Sequence, residues 1–141
     1  MKILVYIIYA AIFTYCYFIL NRKLLNKWIL IGYPLFFCAS IYPLKLIFDT
    51  MVPHMGKALA GEWLLLMLYA VSMLSLFNFF YGIVNNMVDK LAGFQQQYGT
   101  TDRQPAKWYI SNRLNIINAY HYFFYTGGIL LYAVVVFKSK I

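Results

Sequence analysis

Lys45 and Asp49 stand four residues apart in IYPLKLIFDT, the end of a long apolar run. On a helix that spacing puts them on one face, where they can pair or offer a joint charge to a partner. A charge at the centre of a bilayer needs a functional reason, whereas a lysine at the end of a span reaches the headgroups along its own stem. The position of this pair fits the anchor. Pro43 bends the helix just before it and could aim the polar end sideways at a neighbour. No second intramembrane acid accompanies Asp49, which argues against a proton relay.

His54 and His121 are the only histidines. Neither has carboxylate or thiol company at helical spacing, so no metal site is expected. They also belong to different depths, a loop and a span, which excludes a paired haem site. In NAYHYFFY, His121 suits a hydrogen bond between helices. The same stretch carries Asn118, Tyr122, Tyr125 and Tyr132 on roughly one face, beside Ala119, Thr126 and Ala133 at seven-residue spacing. Small residues allow close helix approach, and amides and hydroxyls bond across the interface. Gly127 and Gly128 offer a flat spot or hinge. The preceding apolar segment adds Ala70, Ser75 and Asn78. Candidate partner contacts are therefore Lys45, Asp49, Asn78, Asn118, Tyr122, Tyr125, Gly128 and Ala133, with packing inside the bundle as the alternative use. No nucleophile, base and acid come together in the pattern, and the four acids Asp49, Glu62, Asp89 and Asp102 are scattered. Neither enzymatic activity, a cofactor nor a small-molecule substrate is expected.

The elements that must position these residues are set by hydropathy. The chain has 141 residues, 63% hydrophobic and 11% charged, against roughly a quarter charged in a soluble domain. Four stretches, about 3–20, 28–48, 63–85 and 114–137, lack acids and bases almost entirely. Each matches the ~20 apolar residues that cross a ~30 Å hydrocarbon core as helix. The expected fold is all-α, a single domain over 1–141 with four transmembrane helices. The first stretch ends in FILNRKLLNK with no small-residue cleavage site, so it reads as an anchor rather than a leader. Cys16 and Cys38 fall inside spans and read as packing residues. The net charge of +8 does not make a nucleic-acid stripe, because the basic residues sit in ones and threes at the span ends. That distribution suits lipid headgroups. Arg22, Lys23, Lys27, Lys90, Arg103, Lys107 and Arg113 lie on one side, against Lys2, Lys45, Lys57, Lys138 and Lys140 on the other. The bias places both termini outside the cytoplasm.

The short turn NRKLLNK makes spans 1 and 2 antiparallel neighbours. Pro34 and Pro43 kink span 2, and DTMVPHMGKALAGE reads as a loop broken by Pro53, Gly56 and Gly61. Beyond span 3, Met87, Leu91, Phe94 and Tyr98 form an apolar stripe, with Asp89, Lys90 and Gln95 to Gln97 mostly on other faces. The helix should run on to about Tyr98. YGTTDRQP then breaks it, and Pro105 suits the first turn of an interfacial helix within the loop of about 86–113.

Residues 28–86 show a resemblance to a known family. Tyr42, Pro43, Lys45 and Asp49, followed by LLLMLYAVSMLSLFNFFYGI, resemble the second and third spans of immunity proteins against pore-forming colicins. Members of that family have three spans, and this chain adds a fourth. The resemblance implies that Lys45 and Asp49 recognise toxin helices within the bilayer. The residues themselves point to a non-catalytic membrane protein working through helix contacts, and three roles are open. They are an accessory subunit of a larger membrane complex, a bacteriocin immunity protein, and a small oligomeric channel or holin-like pore. Expected partners are membrane lipids and another integral membrane protein or a second copy, in a bacterial inner membrane or an organelle's.

Overall fold

The computed structural model describes residues 2–98 and 104–139, and these are almost wholly helical. Five helices follow in order: α1 (Lys2–Lys23), α2 (Asn26–Met55), α3 (Lys57–Tyr98), α4 (Gln104–Ser111) and α5 (Arg113–Lys138). Of these, α1, α2, α3 and α5 are long and apolar enough to cross a membrane. In hydrocarbon every backbone group must bond within its own segment, which leaves the helix as the form available to such stretches. The extended backbone of Leu24 and Leu25 separates α1 from α2. The expected break between Tyr98 and Pro105 falls mainly on 99–103, outside the described residues, and α4 begins with Pro105 as its second residue.

One expectation is corrected. The stretch DTMVPHMGKALAGE is not a loop: α2 runs to Met55 and α3 starts at Lys57. The whole reversal rests on Gly56, whose φ of 82° is unfavourable for any other residue type. Pro34, Pro43 and Pro53 all sit inside α2, each removing one backbone bond without ending the helix. Gly61 costs about 1 kcal/mol relative to alanine and no more, so α3 passes through it.

Helix α3 is the centre of the bundle. It packs against α2 on one side and α5 on the other, while α1 lies on α5 and touches α3 through its second half. Tyr9, Phe13 and Tyr17 form an aromatic spine along α1, each ring about one turn from the next. The spine meets Tyr132 of α5 at 3.8 Å between centroids, Phe77 of α3 at 6.3 Å and Tyr81 of α3 at 5.2 Å. Such ring pairs add roughly 0.5–1.5 kcal/mol beyond the area they bury. Lys2 donates to the Ser139 carbonyl, which ties the start of α1 to the end of α5.

Two glycines permit the close approaches. A Cβ on Gly128 would stand 2.6 Å from Phe13 Cζ, and one on Gly82 would stand 3.0 Å from Ile29 Cγ2. At 42 residues, α3 is also the longest element. At 1.5 Å per residue it measures about 63 Å, twice the hydrocarbon thickness of about 30 Å. Its extension turns Val88 and Ala92 inward. Asp89 meets Arg113 at 3.7 Å, an exposed pair that contributes at most about 1 kcal/mol.

Gly128→Ala should destabilise the bundle by about 1–3 kcal/mol through overpacking against Phe13, whereas Gly127→Ala, whose Cβ would sit 3.6 Å from Phe77, should change little. Unfolding of both variants in mixed micelles checks this, and equal stability would remove the proposed close contact.

Candidate functional site

Polar groups collect at the end of the bundle that carries the basic turn. They begin with an irregularity in α1. From Tyr15 to Leu20 the helix is a π-helix, and the Asn21 N–H accordingly reaches back to the Cys16 carbonyl. Thr14, just before it, donates its hydroxyl to the Ala10 carbonyl or shares it with Tyr125 Oη at 2.9 Å. The π turn absorbs one residue. In a regular α-helix Asn21 would lie about 120° around the axis from Tyr9, and with one residue absorbed it lies about 20° away. Asn21 thereby continues the buried spine of Tyr9, Phe13 and Tyr17.

The Asn21 amide bonds on both sides. Its Nδ2 donates to Asn78 Oδ1 at 2.6 Å, and its Oδ1 accepts from the Tyr33 hydroxyl at 2.8 Å. Asn78 Nδ2 donates to the Leu74 carbonyl at 2.7 Å. All three side chains are buried, so α1, α2 and α3 are joined by a closed set of hydrogen bonds inside the bundle. An amide left unpaired in hydrocarbon would cost several kcal/mol.

A second polar layer lies further along α3, beside the basic turn. Asn85, seven residues beyond Asn78 and on the same face of α3, accepts at Oδ1 from His121 Nε2 at 2.9 Å. Its Nδ2 points to Asn26 Oδ1 at 3.4 Å. The imidazole stacks on Tyr81, with centroids 4.0 Å apart and planes 13° apart, and Tyr17 meets both rings edge-on. This is the hydrogen bond between helices that the setting of His121 suggested. Beside it is a cavity of about 110 Å³ between α1, α3 and α5. Arg22 lines it from α1, Tyr81 and Asn85 from α3, and Asn118, His121 and Tyr122 from α5. Arg22 is the one fixed charge among these residues, and no acid joins it. Among the described residues no three His, Cys, Asp or Glu side chains converge on a point. The arrangement offers hydrogen-bond donors and a cation rather than a metal cage or a nucleophile with its base.

The sequence candidates scatter. Asn118 and Tyr122 come together at the rim of this cavity, both exposed. Asn78 lies deeper and is wholly committed to α1 and its own helix. Tyr125 is turned inward, stacked on Phe13 with centroids 5.8 Å apart, and Gly128 receives the same ring. Ala133 is half-buried. Lys45 and Asp49 are exposed toward the opposite end of α2, and no ion pair joins them among the described residues. The partners that sequence reasoning missed are Asn21, Tyr33, Asn85 and Arg22. Asn85 was detectable as Asn78 plus two turns, whereas Asn21 looks like the start of the basic turn.

A double-mutant cycle of Asn21→Ala and Asn78→Ala should give a coupling of about 1–1.5 kcal/mol, high for hydrogen bonds in bilayers because both amides are buried and Tyr33 already holds the other end of Asn21. Additive losses in unfolding would dissolve the link. Against this geometry stands an empty comparison: no model of a known family, no curated protein and no solved structure matches the chain.

Proposed function

We propose that the chain is a non-catalytic accessory subunit, held in a larger membrane complex by contacts with another integral membrane protein. The observation that carries this reading is the outer face of the α3 extension. Met87, Leu91, Phe94 and Tyr98 remain 57%, 49%, 58% and 75% exposed after the bundle has packed. The inner face of the same extension is already satisfied by Val88 and Ala92. An apolar stripe carried beyond the span on a rigid helix, with polar residues on its flanks, suits a partner that itself rises from the bilayer. The basic residues at the span ends suit a bacterial inner membrane.

A second reading keeps the likeness to colicin immunity proteins. Lys45 and Asp49 are exposed and free of each other, next to the exposed Ile41 and Tyr42 on α2. They are thus open to a foreign helix.

Purification in mild detergent from the native host, followed by mass spectrometry, separates the two. On the subunit reading a large integral membrane protein co-elutes in fixed ratio, and Leu91→Glu with Phe94→Glu releases it without lowering the melting temperature of the bundle. Elution of the wild type alone overturns that reading. On the immunity reading, Lys45→Leu with Asp49→Leu abolishes protection of cells challenged with a pore-forming colicin, and full protection by this variant ends it.

A further inference from the structure

We propose that the cavity at the basic end of the bundle binds one phosphate group, carried by a lipid headgroup or free in solution. Its lining is suited to an oxyanion. Arg22 supplies a guanidinium, whose planar fork of N–H donors matches phosphate oxygens. The Asn118 amide and the Tyr122 hydroxyl add neutral donors at the rim, and no carboxylate lies among the lining residues to repel an anion.

An unsatisfied atom marks the same place. His121 is 6% exposed. With Asn85 Nδ2 turned toward Asn26, its Oδ1 faces the imidazole and is placed to accept from His121 Nε2. Nδ1 is then an acceptor, and it has no partner among the described residues. Buried polar atoms are nearly always paired. A water in the cavity supplies the missing donor, since an oxyanion itself offers Nδ1 only lone pairs.

Size and depth agree. About 110 Å³ has room for several waters at roughly 10–15 Å³ each, hence for one tetrahedral oxyanion, and is too small for a nucleotide. Arg22 stands two residues past the end of the first apolar run, at Leu20, a position suited to the depth of headgroup phosphates. Lys23, Lys27 and Arg113 at the same end raise the local concentration of anions. The inference is independent of the subunit reading, since the apolar stripe on α3 contributes nothing to the cavity.

The test uses the full chain in a phosphate-free maltoside detergent. Inorganic phosphate is titrated in one arm, with the melting temperature as readout. Phosphatidic acid is titrated in the other, with native mass spectrometry counting lipids per chain. Saturable binding of one equivalent is expected in at least one arm, and the responding arm identifies the source. Arg22→Gln should weaken it at least tenfold, as should Asn118→Asp, an exposed position where folding is not at risk. Lys23→Gln, one residue away but outside the cavity, should stay within twofold. Absence of saturable binding in both arms overturns the proposal. So does an equal loss from Lys23→Gln and Arg22→Gln, which would show diffuse charge attraction instead of a site.

Discussion

In hydrocarbon an amide has no solvent to fall back on, and the hydrogen bond from Asn21 to Asn78 answers that constraint for two helices at once. With Tyr33 closing the other side of Asn21, the arrangement of α1, α2 and α3 is set by directional bonds as well as by shape. Apolar contacts alone discriminate poorly between registers in lipid, because lipid tails are as apolar as leucine. Two buried amides and a phenol do discriminate, since any slip leaves them unpaired. The aromatic spine, the second polar layer and the cavity all take their positions from this register.

The packing follows the same division of labour. Ring contacts along α1 supply area, and Gly128 and Gly82 supply room for the helices to approach. Helix α3 then carries the result beyond the length that a bilayer's hydrocarbon core would cover. Its extension buries Val88 and Ala92 and meets the start of α5 through the exposed Asp89–Arg113 pair, and its outer face is left apolar. One rigid element therefore connects the buried amides, the wall of the cavity and the stripe proposed for a partner.

Much of the architecture was legible in the sequence because hydropathy is a long-range average that tolerates local error. Four spans, the run of α3 to Tyr98 and the helix opened by Pro105 are all read from runs and periodicity. The turn at Gly56 was misread, because Pro53 and Gly61 signal breaks in water and are absorbed by helices with good neighbours. The candidate site was half visible. Asn78, Asn118, His121 and Tyr122 stand out as polar residues in apolar surroundings. Asn21 does not, since it adjoins Arg22 and Lys23 and resembles the end of the membrane. Its burial depends on the π turn, which a reading at 3.6 residues per turn cannot represent.

That turn also governs which changes of length α1 can accept. Removing one residue between Tyr15 and Leu20 would restore a plain α-helix and leave Asn21 aimed at Asn78, because the surplus residue is the one lost. Removing one residue between Tyr9 and the bulge, with the bulge retained, would swing Tyr9 and Asn21 about 100° out of step with each other. Between Tyr9 and Asn21 the first span thus has a single stretch where its length is free to vary by one, and relatives of this chain that are a residue shorter between those positions should have lost it there.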